Sequence, residues 1–248
     1  MTRLRSTTRT LPEQIADELG VALVAGRIPA GQRLLEQELA ERFAVSRGPI
    51  REALRLLERR GIVTLTPRRG AYARELTMDA IADLFNVRNA ISALAAGQAA
   101  IAPVASYVDA LKRRCAELDA LAADPDAGAG AFADVATRAV RAIVKASGNE
   151  QAIALMAQLA EHTVWRVIWE WPLDYTTAER RRHQARALRD VLDAIEAGDA
   201  AEADARLRLA LEESRDHAIH ALVALRGQPV GASRLLRTAP PPDSTKRS

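Results

Sequence analysis

The sequence predicts a mainly α-helical protein of two domains, with one small β-hairpin in the first domain. The chain has 248 residues, of which 48% are hydrophobic and 27% are charged, and this is enough to build two hydrophobic cores. Apolar residues recur at helical spacing through most of the chain. Only residues 62–66 and 71–73 are β-prone runs, and the four residues between them suit a hairpin turn.

The first domain is predicted to span residues 11–76. A first amphipathic helix stops at Gly26, and a short second helix follows after a loop. Ser46 is a good N-cap residue for a third helix, and Gly61 is placed to end that helix after about residue 60. The hairpin comes next. This order of three helices and a hairpin is that of a winged helix-turn-helix.

The third helix has two different faces. Its apolar residues have i, i+3, i+4, i+7 spacing and form a buried stripe: Ile50, Ala53, Leu54 and Leu57. Arg47, Arg51 and Arg55 are spaced by four and form a separate row, which suits the DNA major groove, where arginine pairs with guanine. A solvated surface row is the alternative. The preceding short helix, and a hairpin tip carrying Arg68 and Arg69 that could reach a minor groove, favour DNA binding.

The charge distribution also separates the two domains. Residues 1–74 carry 14 arginines and no lysine against 8 acidic residues, whereas the remainder carries 21 basic and 24 acidic residues. A basic module joined to a mildly acidic one indicates a polyanionic partner for the first domain only. Residues 1–10 are predicted to be a flexible basic segment.

Residues 11–74 resemble the GntR family of bacterial transcription regulators. The matching motifs lie at residues 14–16, 26–34, 38–40, 45–54, 61 and 69–70. The resemblance implies double-stranded operator DNA as a partner, with contacts at the positions matching Arg33, Ser46, Arg47, Gly48, Pro49, Arg51 and Gly70. The family often has threonine where this chain has Gly48, so one side-chain contact is expected to be absent.

From residue 77 to residue 226 the sequence predicts an all-α bundle of about six helices, followed by a disordered tail at residues 227–248. The helices are expected near residues 78–101, 104–123, 131–147, 149–170, 177–197 and 200–225. The bundle resembles the FadR-type C-terminal domain, called FCD, in its residues 85–88, 146–149 and 194–199. The resemblance implies a domain that binds a small-molecule effector and forms the homodimer.

The resemblance also identifies candidate effector-binding residues. Arg88 matches an arginine that points into the effector cavity of similar domains and could hold a carboxylate or phosphate; an ordinary surface salt bridge is the alternative. Trp165 and Trp169 share a helix face and could line the cavity, or could belong to the core or to a dimer interface.

Many similar domains hold a divalent metal through one Asp or Asn and three His. The corresponding positions here are Ala136, Val140, Leu188 and Ala210, and aliphatic side chains cannot ligate a metal. We therefore expect no metal of that type and no other cofactor. His217 and His220 have i, i+3 spacing that is compatible with metal binding, but surface histidines are the preferred interpretation.

Other features limit the location and chemistry of the protein. No segment approaches the roughly 20 consecutive apolar residues of a membrane span, so we expect a cytoplasmic protein with no membrane partner. Cys115 is the only cysteine, which excludes an intrachain disulfide and predicts a small buried residue on a helix.

Three functions are compatible with the sequence. The favoured one is a homodimeric DNA-binding regulator whose operator affinity responds to a small molecule. A second is a DNA-binding regulator whose helical domain only dimerises. An enzyme is the least favoured, because the sequence shows no nucleophile–base pair, Gly-rich phosphate loop or metal-hydrolase spacing.

Overall fold

The computed structural model describes residues 10–161, residues 174–235 and residue 237. Its first domain is the predicted winged helix-turn-helix. The elements in chain order are α1 (Leu11–Val24), β1 (Arg33–Leu34), α2 (Glu36–Phe43), α3 (Arg47–Arg59), β2 (Val63–Thr66) and β3 (Gly70–Ala73). The strands form an antiparallel sheet in the order β1-β3-β2, with Arg33 opposite Tyr72. The sequence alone predicts a loop where β1 lies, because two residues are too few to show an alternating pattern.

The second domain is the predicted helical bundle. Its helices are α4 (Met78–Ile101), α5 (Ala105–Ala123), α6 (Ala129–Ala146), α7 (Glu150–Glu161), α8 (Ala178–Glu196) and α9 (Ala200–Arg226). Thr77, Thr177 and Asp199 cap α4, α8 and α9, since each side chain accepts a hydrogen bond from a backbone N–H of the first turn. The predicted end of α7 near residue 170 lies outside the described residues.

The core of the first domain lies between α1 and α3. Ile15 and Leu19 of α1 pack with Ile50 and Leu57 of α3, and all four side chains are fully buried. A buried ion pair links α1 to the C-cap residue of α3, with Arg60 Nη1 2.9 Å from Asp17 Oδ1. The sequence alone does not predict this pair, because its members are 43 residues apart.

The core of the second domain is formed mainly by α5, α6, α8 and α9. Cys115 is buried on α5, as predicted, and its Sγ lies 3.8 Å from the carbonyl oxygen of Leu188 on α8. In the part of the chain that the structure describes, no single helix is long and apolar enough to cross a membrane. Helices α4 and α5 together have the length and composition, but the chain bends by 117° between them.

A separate apolar cluster joins the two domains. Val24 at the end of α1 is fully buried and packs into a cluster with Ile81 and Phe85 of α4 and with Ala218 and Leu222 of α9. Helix α4 of the second domain therefore packs in the same cluster as the end of α1 of the first domain.

The chain continues past α9 as a short ordered segment, which we call the C-terminal strap (residues 228–235). It contains a 3-10 helix, Ala232–Leu235, and it lies against α4. The Gly231 N–H donates to Asp79 Oδ1 at 2.7 Å, and Arg234 Nη1 lies 3.0 Å from Asp83 Oδ1. Val230 and Leu235 pack on the interdomain cluster. The prediction of a disordered tail from residue 227 is therefore wrong for the strap, because these contacts to α4 are not visible in its local composition.

Candidate DNA-binding surface and effector cavity

Helix α3 presents its N-terminus and its arginine row on the surface. Ser46 occupies the N-cap position with an extended backbone, but its side chain makes no capping hydrogen bond. Arg47 and Gly48 are exposed in the first turn, so backbone N–H groups at the positive end of the helix dipole are accessible there. Pro49 is half-buried in the same turn, where its missing N–H costs nothing.

The first turn of α2 holds two arginines of the α3 row. Arg47 Nη2 donates to Gln37 Oε1 at 3.0 Å, and Arg51 Nε donates to Glu36 Oε2 at 2.7 Å. Arg55 is exposed and has no hydrogen bond or ion pair with any described residue. An exposed ion pair contributes only about 0–1 kcal/mol, so Arg51 can exchange Glu36 for a base or phosphate at small cost.

The sheet brings Arg33 to the wing. Because β1 pairs with β3, the Arg33 guanidinium lies beside Gly70, and a Cβ added at residue 70 would be 3.4 Å from Arg33 Nε. Gly70 has a φ of +99°, a conformation that favours glycine. A side chain on residue 70 would therefore be both strained and crowded against Arg33.

The wing tip is a tight turn with an arginine in a strained conformation. The Arg69 N–H donates to the Thr66 carbonyl at 3.0 Å, which places Pro67 and Arg68 at the two central positions. Arg68 has a φ of +61°, in the left-handed region that type II turns require at the second central position and that glycine usually occupies. The strained residue at the tip is thus an exposed arginine.

One further contact fixes the wing relative to α3. Glu58 of α3 accepts a hydrogen bond from the backbone N–H of Leu65 on β2, at 3.1 Å. No hydrogen bond or ion pair joins the arginine row directly to Arg68 or Arg69 in the described part of the chain. Nothing in the sequence distinguishes Glu58 from any other surface glutamate.

The helical domain contains a cavity of about 300 Å³ between α4, α6 and α7. The described residues that line it are Arg88, Thr137, Val140, Arg141, Val144, Lys145, Ile153, Met156, Ala157, Leu159 and Ala160. Arg88 is buried and lies at this cavity. Burial lowers the pKa of Arg88 to about 10, the Tyr175 hydroxyl opposes this shift, and Arg141 adds to it. The guanidinium remains charged at neutral pH.

A smaller cavity of about 50 Å³ adjoins the first and shares Arg88, Thr137 and Val140 with it. A polar network that the sequence alone does not predict lies beside this smaller cavity. Arg180 makes two hydrogen bonds to the buried Asp174 carboxylate, at 3.0 and 3.1 Å, and a third at 3.1 Å to Ser214 Oγ. The Ser214 and Tyr175 hydroxyl oxygens lie 3.0 Å apart.

Two family models match this chain. The model of the bacterial regulatory proteins of the gntR family matches residues 11–72, and that of the FCD domain matches residues 83–213, which is more than half of the chain. The chain belongs to the GntR family. It is in the group that carries an FCD domain, and this is a family of transcription regulators rather than enzymes.

Curated relatives of this chain are named as transcriptional repressors. The chain is 41% identical over 75 residues to the gluconate operon transcriptional repressor of Bacillus subtilis, a match that covers 30% of each protein. It is 25% identical over 201 residues to a protein of Paenarthrobacter nicotinovorans named "Probable D-xylose utilization operon transcriptional repressor", a match that covers 80% of this chain and 84% of the relative. The chain spans only about a third of the length of several of the relatives it matches.

Solved structures share the fold. One is of Lar, described as controlling expression of the Listeria monocytogenes agr system, with a TM-score of 0.66, 18% identity, and coverage of 87% of this chain and 99% of that one. Another is E. coli McbR/YncC, with a TM-score of 0.59, 18% identity, and coverage of 86% and 99%. At these identities the likeness concerns the fold alone.

The four positions at which related FCD domains hold a metal are buried and aliphatic in this GntR-family protein. Ala136 and Val140 line the cavities, and Leu188 and Ala210 are buried on α8 and α9. Asp134, which lies two residues from the first position, is exposed and pairs with Arg138. In the described part of the chain no three His, Cys, Asp or Glu side chains come together. The residues present do not fit a metal of that type.

Of the remaining candidate residues, two histidines lie in the described part of the chain and two tryptophans do not. His217 and His220 are exposed on α9, and His217 Nδ1 lies 2.8 Å from the Glu213 carbonyl oxygen. Trp165 and Trp169 lie outside the described residues, so their predicted role at the cavity stays a prediction.

Proposed function

We propose that this GntR-family protein is a sequence-specific DNA-binding transcription regulator whose operator affinity is controlled by a small molecule bound in the FCD cavity. The observation that carries the proposal is the α3 surface, where an exposed arginine row lies on a different face from the buried apolar stripe. Two relatives named after operons are both called repressors, which favours repression as the mode of control. A protein that binds chromosomal DNA would act in the cytoplasm.

In the proposed complex the N-terminal half of α3 enters the major groove. Arg47, Arg51 and Arg55 contact bases and phosphates, and the exposed first turn binds a phosphate through its N–H groups. The wing places Arg68 and Arg69 on the flanking minor groove or its phosphates. Arg33, held beside Gly70, adds a contact at the base of the wing.

The test is a gel shift with the promoter of the protein's own gene. The double variant Arg47→Ala/Arg51→Ala should lose about 1–3 kcal/mol for each base contact, or roughly 30- to 20,000-fold in specific affinity. A matched control, Arg113→Ala/Arg138→Ala, removes two exposed arginines of the helical domain and should bind as tightly as the parent. Equal affinity of both double variants would reject the assignment of the DNA-binding surface.

The interdomain cluster gives a route by which a ligand could alter DNA binding. Phe85 and Ala218 line the smaller cavity and also pack in the cluster that contains Val24 of α1. A ligand that binds one arrangement of α4 and α9 more tightly than another would therefore also favour one position of α1. In a dimer, this shift would change the spacing of the two α3 helices on a palindromic site.

We further propose a homodimer that uses one face of α4. Val87, Leu94 and Ile101 are 51%, 53% and 74% exposed, and their seven-residue spacing puts them in one line along the helix. Leu155 on the neighbouring α7 is also exposed. Leu94→Glu should give a monomer in sedimentation experiments, whereas Leu225→Glu, at an equally exposed leucine on α9, should leave a dimer.

A second candidate is a regulator whose helical domain only dimerises. The aliphatic residues at the family's metal positions favour it, because they remove one known means of holding an effector. The cavity at Arg88 favours ligand sensing instead. The ligand titrations described in the next subsection separate the two.

A further inference from the structure

The cavity at Arg88 combines an apolar wall with positive charge. Val140 and Val144 of α6 face Ile153, Met156 and Leu159 of α7, and these side chains form the apolar part. Arg88 of α4 and two residues of α6, Arg141 and Lys145, supply three cationic side chains. None of the described lining residues is acidic. An apolar site with several cations and no lining carboxylate suits an anionic ligand with an apolar body.

The cationic groups are at two depths. Arg88 is only 8% exposed and lies inside the bundle, whereas Arg141 is exposed at the mouth. Thr137, Arg141 and Lys145 follow one another at intervals of four residues on the same face of α6, and each interval is a rise of about 6 Å. Two anionic groups about one helical turn apart could therefore be bound at once, one near Thr137 and the other near Arg141.

The two arginines are close enough to affect each other. The charge on Arg141 contributes to lowering the pKa of Arg88, so the two positive charges repel each other. A ligand with a negative charge between or beside them would remove this repulsion.

Arg141 has no partner in the described part of the chain, unlike Arg138 of the same helix. Arg138, one turn away from the cavity lining, pairs with Asp134, and Arg189 of α8 pairs with Asp119. Arg141 has no hydrogen bond or ion pair with a described residue. Lys145 Nζ lies 5.4 Å from the centroid of the Tyr107 ring.

We propose that the cavity binds a small dianion whose two anionic groups, carboxylate or phosphate, are joined by an apolar spacer. This inference rests on the proposed function, since it names the class of the effector. Arg88 and Thr137 hold the inner anionic group, Arg141 holds the outer one, and the α6 and α7 side chains contact the spacer. Side-chain cations replace metal ligation, so binding is insensitive to chelators.

The test is calorimetric titration of the full-length protein in EDTA-containing buffer. The probes are straight-chain α,ω-dicarboxylates of four to eight carbons, their monomethyl esters, and ω-phosphonocarboxylates of the same lengths. A charge-assisted hydrogen bond to Arg141 should make at least one dianion bind tenfold or more tightly than its matched monoanion. Comparison of the dicarboxylate and phosphonate series shows which anionic group occupies the outer position.

Two variants assign the effect to Arg141. Arg141→Gln should reduce dianion affinity to that of the ester and change ester affinity less than threefold. Arg138→Gln removes another exposed arginine of α6, one that does not line the cavity, and should keep the full preference for the dianion. Equal binding of dianions and esters, no binding of any probe, or an unchanged preference in Arg141→Gln would overturn the proposal.

A failure here can be told from a failure of the proposed function. The operator gel shift without ligand tests DNA binding by itself. If the shift is intact and no dianion binds, only the inference about the ligand is lost.

Discussion

The strained wing tip leads to an unusual prediction, namely that replacing Arg68 by glycine stabilises the protein while weakening DNA binding. A non-glycine residue in the left-handed region costs about 1–2 kcal/mol, and Arg68 has a φ of +61°. Glycine removes that strain but loses about 0.4–1 kcal/mol through the greater freedom of the unfolded chain. Taking the middle of both ranges, the free energy of unfolding should therefore rise by about 0.8 kcal/mol.

Two measurements test the Arg68→Gly prediction. For a protein of this size the stabilisation corresponds to an increase in Tm of about 1–4 °C, measured by differential scanning calorimetry. Loss of one phosphate contact should make the slope of log K against log salt concentration less negative by about 0.9, measured by gel shifts at several salt concentrations.

Arg69→Gly is the matched control. Arg69 is not among the described residues with positive φ, so glycine brings no relief of strain there and should lower the stability by about 0.5–1 kcal/mol. Both variants lose one wing arginine and should bind DNA more weakly. If Arg68→Gly lowers Tm as much as Arg69→Gly does, the strain argument is wrong.

The remaining predictions concern the buried groups and the strap. Arg60→Met leaves the buried Asp17 carboxylate without its guanidinium and should cost about 3–5 kcal/mol in urea unfolding, whereas Asp17→Leu/Arg60→Met should recover most of that loss. Truncation after Gly227 removes the strap and should speed amide hydrogen exchange in the first turns of α4; unchanged exchange would show that the strap does not stabilise this helix. Burial raises the pKa of Cys115 to about 11 from 9.0, so its native thiol should resist labelling at pH 8. Equal labelling of native and unfolded protein would contradict the burial. Because the thiol of the unfolded chain ionises at lower pH than the native thiol, the contribution of Cys115 to the free energy of unfolding is present below pH 9 and should decline between about pH 9 and pH 11.

Most of the first domain follows from the local sequence. The stripe that contains Ile50 and Leu57 and the row that contains Arg47 and Arg51 are set by helical periodicity, and in the structure the stripe is buried and the row is exposed. The helix boundaries fall within a few residues of their predicted positions, because caps and glycines act on neighbouring residues in the chain.

Contacts between distant residues depend on the tertiary structure. Strand β1 and the position of Arg33 depend on pairing with β3, almost 40 residues later in the chain. The strap is not predicted from the sequence because its partners, Asp79 and Asp83, are about 150 residues away. In the same way, only packing of α4 against α6 and α7 shows that Arg88 and Arg141 share a cavity.

Local sequence patterns are enough to predict a winged helix-turn-helix with an arginine-bearing third helix, followed by a helical domain with aliphatic residues at the family's metal positions. Which side chains surround the cavity, the left-handed conformation of Arg68 and the pairing of Asp17 with Arg60 all depend on the packed fold. The difference arises from the range of the interactions. Periodicity and capping act within a few residues, whereas a cavity, a buried ion pair and a strained turn depend on how whole elements pack.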